Sequence, residues 1–356
     1  MSKDVQVLDI RASPQSKGSI PNLRTAILDG LQKAPGMRTL PSEILYDDRG
    51  LKIYNDCIRS WSEWYYPISA ETEILEINGK DIARVFSTSD RGEAVLIELG
   101  AGSLDKTSKI LVSLSETVQN VSDSQPPITY YALDLERSEL QRTLSELQKN
   151  IGEKIAGKIA TKGMWGTYDD GIRSVENNEL HLDAAVPVHF LFLGGTIGNF
   201  SKGEGDVTFL RNLPLNAQRG DTILLGIDRE KSKEIIERAY NFPAAREWIM
   251  NGLNVSGHLL SGDKDLFQLD NWDRYAMYDE KLGRLEAGYR SKIDQIIEVT
   301  ANYSIPFKKD ESVMAIFSNK YTDDELNFLI SKANLKTINS WVDHKALYYI
   351  FSLRKV

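Results

Sequence analysis

The sequence lacks several features that would place it in a specialised class of protein. It has one cysteine, Cys57, among 356 residues, which excludes an internal disulfide and favours a reducing compartment. No apolar run reaches the roughly 18 residues that cross a bilayer, and the first residues carry no apolar signal core. We therefore expect a cytoplasmic protein that works without a membrane.

Charge and histidine content argue against two further classes. The chain has 43 basic and 51 acidic residues, a formal net charge of −8, and no basic patch. Such a surface repels a phosphate backbone, so we expect no nucleic-acid partner. The four histidines are scattered, and none has the i, i+4 spacing of a metal site, so we expect no metal. Hydrophobic residues make up 41% and charged residues 26%, which is an ordinary globular composition.

Four short apolar runs predict the strands of a parallel sheet. They are EAVLIELG, ITYYALD, VHFLFLGG and DTILLGID, and helical segments such as SKILVSLSETV and ERSELQRTLSELQKNI lie between them. Buried strands separated by helices predict a mostly parallel sheet that is covered on both faces. Near the end of the chain, the helix TDDELNFLISKAN precedes two short strands, KTINSWVD and KALYYIFSLRK, that predict an antiparallel hairpin. A parallel sheet finished by such a hairpin is typical of one large class of methyltransferases.

Two regions outside the predicted sheet have a different pattern. Residues 1 to about 75 look mainly helical, and we expect Pro67 to end this region and to exclude a continuing helix there. From about residue 231, the helices KEIIERAYNF and AAREWIMNGLNV precede irregular, polar and aromatic sequence. The segment YRSKIDQIIEVTANYSIPF alternates well enough to predict a strand.

The segment IELGAGSLDKT joins the first predicted strand to a helix. Gly100 and Gly102 let the backbone turn sharply and approach a ligand, although an ordinary strand-to-helix turn would need the same residues. Asp134, at the end of the next strand, is placed to accept hydrogen bonds from a ribose diol. The third position of a dinucleotide-binding loop is Asp105, an anion where a pyrophosphate would sit. This favours a nucleoside cofactor without phosphate, such as S-adenosylmethionine, over a nicotinamide dinucleotide.

Two further loops can contact a ligand. The segment WGTYDD lies between the second and third predicted strands, where an adenine-contacting loop would fall, and FLGGTIGNF begins at the third. In WGTYDD, Tyr168 can flank a purine and Thr167 or Asp169 can hydrogen-bond its amine, while a plain polar turn is an equal alternative. In FLGGTIGNF, glycines including Gly194 follow a buried strand at the edge where open α/β sheets bind ligands. Asn199 in this loop can both donate and accept, which suits the amine or carboxylate of a substrate, and a structural turn is the alternative.

These segments together resemble the histidine-specific methyltransferases of ergothioneine biosynthesis, which include tryptophan and dimethylallyltryptophan N-methyltransferases. The resemblance rests on LYDDRG, YYPxxxE and FLGGTIGN and covers nearly the whole chain. It implies an α/β fold with the Rossmann-like sheet and terminal antiparallel hairpin of class I S-adenosylmethionine methyltransferases. It also implies a substrate-binding domain at 1–69 and 231–321, beside a cofactor-binding domain at 70–230 and 322–356, in a monomer.

The resemblance and the loops together give the expected site residues. The cofactor-binding residues are Gly100, Gly102, Lys106, Asp134, Thr167, Tyr168 and Gly194. The substrate-binding residues are Tyr46, Tyr54, Tyr65, Asn199, Tyr240, Ala287, Ile316 and Ser318. Among the catalytic residues, we expect Tyr65 and Tyr240 to donate to the carboxylate of an amino acid and Asn199 to orient its amine.

Three of these positions depart from the family pattern. An acidic residue that receives the imidazole of histidine aligns with Ile316, a methionine of the pocket wall aligns with Ala287, and an acidic residue aligns with Thr167. Isoleucine cannot accept a hydrogen bond from imidazole, and alanine leaves room for a larger ring. We therefore predict α-N-methylation of L-tryptophan, with prenylated tryptophan and then histidine as alternatives. A non-catalytic S-adenosylmethionine-binding protein is the alternative of another class.

Overall fold

The computed structural model describes residues 5–12, 23–47, 49–54, 65–86, 92–119, 122, 125–300 and 302–356, and Cys57 lies outside them. The α-helices that lie wholly within these segments are α1 (Leu23–Leu31), α2 (Tyr66–Phe86), α3 (Asp105–Thr117), α4 (Arg137–Ile155), α5 (Tyr168–Glu176), α6 (Gly205–Asn212), α7 (Lys233–Tyr240), α8 (Pro243–Ser261) and α9 (Asp323–Lys332). Residues 49–54 are helical as well. The strands are β1 (Val7–Asp9), β2 (Ala94–Leu99), β3 (Ile128–Asp134), β4 (Ile159–Trp165), β5 (Val188–Phe192), β6 (Thr222–Asp228), β7 (Trp272–Asp279), β8 (Arg284–Ser291), β9 (Gln295–Thr300), β10 (Tyr303–Phe307), β11 (Ser312–Asn319), β12 (Leu335–Val342) and β13 (Tyr348–Lys355). None of the described helices combines the length and apolarity needed to cross a bilayer.

The chain forms two compact units. The sheet unit comprises 1–17, 67–229 and 321–356, and the second unit comprises 18–66 and 230–320. The N-terminal residues belong to the sheet unit because β1 pairs in parallel with β4, with Val7 opposite Gly163. The expectation that all of residues 1–69 lie in the substrate-binding domain is therefore wrong for this segment.

The sheet unit is built on eight strands in the order β1-β4-β3-β2-β5-β6-β13-β12. β1 to β6 run parallel, and β13 pairs antiparallel with both β6 and β12. The prediction of a mostly parallel sheet finished by an antiparallel hairpin is therefore confirmed. The strand order reverses between β2 and β5, and open α/β sheets bind ligands at the carboxyl ends of the strands at such a point.

Helices cover both faces of this sheet. Successive residues of a strand point to opposite faces, so Leu96 packs with Ile110 and Leu140 on one side, while Ile97 packs with Phe209 and Leu326 on the other. β2, β5 and β6 are buried along their whole length, which explains why their sequences are continuous apolar runs. The fixed central strands hold the loops that follow them.

Helix α2 corrects the expectation for Pro67. The helix begins at Tyr66 and runs through Pro67 to Phe86, so this proline starts a helix rather than excluding one. Proline is well tolerated in the first helical turn, since the N–H group it lacks has no partner within the helix there. The helix carries Glu71, the acidic residue of the YYPxxxE motif, into the core.

The second unit contains the antiparallel sheet β11-β8-β7 and the hairpin β9–β10. Its core packs helix residues such as Ile27 and Leu253 against strand residues such as Trp272, Tyr289 and Phe307. The sequence after residue 255 was expected to be irregular, and YRSKIDQIIEVTANYSIPF was expected to be one strand. Both expectations are wrong. The region after residue 255 contains the strands β7 to β11. The chain bends after Ser291, so the segment spans the end of β8, all of β9 and all of β10.

A β-bulge interrupts β11. Met314 lies opposite Gly288 and Ile316 lies opposite Ala287, so Ala315 is an extra residue without a partner on β8. After the bulge, Ser318 lies opposite Leu285. Residues that face each other across an antiparallel pair share one side of the sheet, so Ile316 and Ser318 stand on the side of Ala287 and Leu285.

Candidate active site

The two glycines between β2 and α3 have different roles. Both have the left-handed backbone that favours glycine, with φ of +76° at Gly100 and +56° at Gly102. A Cβ atom on Gly100 would lie 2.7 Å from the hydroxyl of Tyr168, whereas one on Gly102 would have nothing within 4 Å. Gly100 therefore makes room for the tyrosine, and Gly102 leaves an open side against which a ligand can lie.

Asp134, at the end of β3, faces this glycine loop. Its Oδ2 accepts a hydrogen bond from the Gly102 N–H at 3.4 Å, and its Oδ1 accepts one from the Leu135 N–H at 2.7 Å. Burial raises the pKa of the Asp134 carboxyl group, and these N–H groups act in the opposite direction. The side chain is half-buried, so a partly exposed carboxylate with free acceptor capacity stands beside the open side of Gly102.

Thr167 and Tyr168 begin helix α5. The Thr167 hydroxyl accepts from the Asp170 N–H at 3.1 Å and donates to the Asp170 carboxylate at 2.8 Å, which forms a capping box. One lone pair of this hydroxyl therefore remains to accept from an amine. Tyr168 packs edge-on against Phe192, with 5.5 Å between the ring centroids, and this contact fixes the ring beside Gly100.

A fully buried carboxylate joins two of the loops. Glu71 is 0% exposed, and its Oε1 accepts from the Gly194 N–H and from the Tyr348 hydroxyl, each at 2.8 Å. Its Oε2 pairs with the Lys106 ammonium. Gly226 lies so close that a Cβ atom there would be 2.5 Å from Glu71 Oε1. Lys106 and Gly194 are among the predicted cofactor residues, whereas Glu71, which holds both, is not.

A second buried carboxylate lies below the glycine loop. Glu98 on β2 accepts hydrogen bonds from the Thr107 hydroxyl at 2.7 and 2.8 Å and from the Tyr130 hydroxyl. Burial raises the pKa of Glu98 to about 7, while the bonds from Tyr130 and Thr107 lower it. Glu98 therefore ties β2 to β3 and α3 and fixes the loop between them.

Asn199 ends a short turn after β5. Gly194 and Gly195 have φ of +75° and +68°, and residues Thr196–Asn199 form a 3-10 turn. Phe200, the next residue, packs against Phe209 with 4.8 Å between the ring centroids, which anchors the turn. The side chain of Asn199 is exposed, so its amide is available to a ligand at the carboxyl end of the sheet.

Glu73 on α2 and His344 form a partly exposed pair, which holds the turn from Asp343 to Leu347 to this helix. Glu73 accepts from the backbone N–H of His344 at 3.0 Å, and its Oε2 lies 2.6 Å from His344 Nδ1. Asp343 accepts from the backbone N–H groups of Lys345, Leu347 and Tyr348. These carboxylates shape the turn that precedes β13.

The second unit contains an aromatic wall, formed by Tyr46, Tyr54 and Trp248. Trp248 lies 5.6 Å from Tyr46 and 5.1 Å from Tyr54, measured between ring centroids. The Trp248 indole N–H donates to the Leu45 carbonyl at 2.9 Å, which fixes its ring. Both tyrosines are among the predicted substrate residues, whereas Trp248 is not. Rings packed at steep angles in this way suit a further aromatic side chain.

A hydroxyl cluster, formed by Tyr65, Tyr240, Ser318 and Lys320, lies elsewhere in the same unit. The hydroxyls of Tyr65 and Tyr240 are 3.0 Å apart. Lys320 Nζ donates to the Tyr240 hydroxyl at 3.3 Å and to the Ser318 hydroxyl at 3.2 Å. Tyr65, Tyr240 and Ser318 are among the predicted substrate residues, whereas Lys320 is not.

Ala287 and Ile316 stand side by side, as cross-strand partners on β8 and β11. Ala287 is 1% exposed. Ile316 is half-buried and packs both against the apolar group that includes Tyr54 and against the group that includes Tyr240. The structure therefore brings both of these positions together as one apolar surface.

The predicted residues divide between the two units. The seven predicted cofactor residues and Asn199 belong to the sheet unit. Gly100, Gly102 and Lys106 follow β2, Asp134 ends β3, Thr167 and Tyr168 follow β4, and Gly194 follows β5. The other seven predicted substrate residues belong to the second unit.

Comparison with known proteins adds to this geometry. The sequence profile of a family described as "Histidine-specific methyltransferase, SAM-dependent" matches residues 23–355. The chain is 59% identical to the L-tryptophan methyltransferase trpM of Psilocybe serbica, over 98% of each chain. It is 30% identical to the 4-dimethylallyltryptophan N-methyltransferase easF of Epichloe festucae var. lolii, over 96% of each chain. It is also 29% identical to Ergothioneine biosynthesis protein 1 of Neurospora crassa, over 90% of this chain and 34% of that protein.

Proposed function

Because the chain belongs to the family of histidine-specific, S-adenosylmethionine-dependent methyltransferases, we propose that it methylates the α-amino nitrogen of L-tryptophan. The observation that carries the choice of tryptophan is the 59% identity to an L-tryptophan methyltransferase over 98% of both chains. The geometry of the second unit supports the same choice, since its aromatic wall and its apolar pair suit an indole.

The loops of the sheet unit fit S-adenosylmethionine. Gly102 offers an open side, Asp134 offers a carboxylate for a ribose diol, and Thr167 keeps a lone pair for an adenine amine. When bound, S-adenosylmethionine supplies an electrophilic methyl group. Lys106 and Gly194 are both hydrogen-bonded to Glu71, so these two positions contribute by fixing the loops around the cofactor.

Replacing Asp134 by alanine is expected to weaken cofactor binding while the fold survives. A carboxylate that accepts from a ribose diol makes charge-assisted hydrogen bonds, each worth roughly 1.5–3 kcal/mol. The dissociation constant for S-adenosylmethionine, measured by calorimetry, should rise at least several-fold. The matched control is Glu153→Ala, which removes an exposed carboxylate near the end of α4, away from these loops, and should leave the constant unchanged. Equal affinities of the wild type and Asp134→Ala would contradict the ribose role.

On the substrate side, the Tyr65–Tyr240 pair donates to the carboxylate through the hydroxyl hydrogen that does not join the two oxygens, and Asn199 orients the amine. The reacting amine must be neutral, although an α-amine in water is mostly protonated at neutral pH. The Asn199 amide can accept from an amine N–H and so direct the nitrogen lone pair, without a dedicated histidine base. Orientation of this kind can supply several kcal/mol of the barrier.

The apolar pair selects against histidine. Ile316 and Ala287 offer no side-chain acceptor, and a buried imidazole nitrogen without a partner costs roughly 1–3 kcal/mol. An indole carries one N–H and a larger apolar surface, which gains roughly 25 cal/mol for each Å² buried. The Ala287 side chain is also smaller than the methionine of the family pattern, which favours a larger ring beside it.

The test is incubation with S-adenosylmethionine and one of four amino acids, namely tryptophan, 4-prenylated tryptophan, tyrosine or histidine, followed by product mass. We expect α-N-methylated tryptophan and no methylated histidine. The variant Ile316→Glu should lose tryptophan turnover, because it places a carboxylate against indole carbons. Efficient methylation of histidine by the unmodified protein, with tryptophan inert, would overturn the proposal.

A second candidate substrate is 4-prenylated tryptophan. The 30% identity to a 4-dimethylallyltryptophan N-methyltransferase over 96% of both chains favours it, as does the small side chain at Ala287. The same assay decides, because exclusive turnover of the prenylated amino acid would select this candidate over tryptophan.

A further inference from the structure

Lys320 lies at the centre of the hydroxyl cluster. Its side chain follows β11 and is 2% exposed, and its Nζ lies within hydrogen-bond distance of Tyr240 and Ser318. The ammonium also lies 5.1 Å from the centroid of the Tyr240 ring, so it contacts this side chain at both the hydroxyl and the ring face. A positive charge is therefore built into the group of hydroxyls that faces the substrate in the proposed function.

An ammonium group can donate hydrogen bonds but cannot accept them. The oxygens of Tyr240 and Ser318 must therefore accept from Lys320, and their O–H hydrogens must point elsewhere. Between Tyr240 and Tyr65, one hydroxyl hydrogen can lie on the 3.0 Å line that joins the two oxygens. The other hydroxyl hydrogen of the pair is then directed away from it. The arrangement turns the tyrosine pair into a donor and disfavours a ligand that itself donates.

We propose that Lys320 is a positioning residue that makes the pair Tyr65–Tyr240 selective for a substrate carboxylate. This inference rests on the proposed function and deepens it. The ammonium polarises the Tyr240 hydroxyl, and hydrogen bonds from a donor to an ionised acceptor are shorter and stronger than those between neutral groups. A carboxylate bound at the tyrosine pair is stabilised both by the hydroxyl donors and by the positive charge of Lys320, whereas a carboxamide is stabilised only by the donors.

The experiment compares L-tryptophan with L-tryptophan amide, which differ only in this group, in the wild type and in Lys320→Met. Methionine keeps an unbranched side chain and removes the charge. We expect the preference for tryptophan over the amide, expressed as the ratio of kcat/KM values, to fall at least tenfold through a higher KM for tryptophan. The KM for the amide should change less than threefold. Lys320→Arg, which keeps a charged donor, should restore part of the preference.

The control variant is Lys292→Met, which removes an exposed charge of the same unit outside the hydroxyl cluster and should keep the preference within threefold of the wild type. If Lys320→Met does not fold, Lys320→Gln, which keeps a neutral donor, is measured in the same way with the same expectation. Parallel losses for tryptophan and its amide would overturn the proposal, since they would show a structural role. If the wild type methylates neither compound, the proposed function has failed. Calorimetric affinities for the amino acid that it does methylate, and for its amide, then test Lys320 separately.

Discussion

Replacing Glu71 by alanine is expected to lower the free energy of unfolding of the sheet unit by roughly 3–5 kcal/mol. The variant leaves the N–H of Gly194, the hydroxyl of Tyr348 and the ammonium of Lys106 without the carboxylate that all three bond in the wild type. Removing one member of a buried hydrogen-bonded group leaves the other members without that partner, in a position that water reaches poorly. The effect is a large share of the roughly 5–15 kcal/mol by which domains are stable.

The measurement is urea denaturation followed by circular dichroism. Glu73→Ala is the matched control, because Glu73 lies two residues away on α2 and its pair with His344 is partly exposed. The urea midpoint of Glu73→Ala should stay close to that of the wild type, since exposed ion pairs contribute little to stability. Glu71→Gln should fall between the two, since its amide oxygen can still accept from Gly194 and Tyr348 but its amino group meets the Lys106 ammonium. An unchanged midpoint for Glu71→Ala would contradict the bonding described here.

Asn199→Ala is expected to reduce turnover of tryptophan by roughly 10²-fold, since misplacement of a reacting group by about 1 Å has an effect of that size. The affinity for S-adenosylmethionine should stay within twofold of the wild type. The side chain is exposed at the end of the Thr196–Asn199 turn, so its loss should not disturb the fold. Single-turnover rates and calorimetry give the two quantities separately.

Thr196→Ala is the control for this experiment. It removes a hydroxyl that donates to the Leu193 carbonyl at 2.9 Å, and so loosens the same turn without removing the Asn199 amide. Turnover of this variant should stay within about threefold of the wild type, because the Asn199 amide is still present to orient the amine. Turnover of Asn199→Ala within twofold of the wild type would refute the amine-orienting role.

The sheet could be predicted from the sequence where burial alone decides the residue types. β2, β5 and β6 are buried along their length, so each is a continuous apolar run. β4 (IATKGMW) was missed, because it is only partly buried beside β1 and keeps polar residues such as Thr161 and Lys162. β1 has three residues, which is too short for a pattern to stand out.

The contacts of the site were less predictable than its loops. The glycine loop, Asp134 and the turn at Asn199 follow strands, so they could be located by position. The bonds of Glu71, in contrast, join residues 123 and 277 positions apart in the chain, a distance over which a local pattern carries no information. Gly100 illustrates a second limit, because the sequence suggested room for a ligand and the structure puts the Tyr168 hydroxyl there.

The bulge at Ala315 has a consequence for how substrate choice can change over evolution. Side chains alternate along a regular strand, so an extra residue would reverse the side to which all later side chains point unless a bulge absorbs it. Ala315 is absorbed in this way, because it has no partner on β8 while Met314 lies opposite Gly288 and Ile316 lies opposite Ala287. Loss of its codon would therefore leave Ile316 and Ser318 opposite Ala287 and Leu285, whereas loss of the codon for Phe317, where no bulge lies, would put Ser318 opposite Glu286. Libraries that seek altered substrates can therefore vary the chain length at residue 315 while Ile316 and Ser318 keep their places.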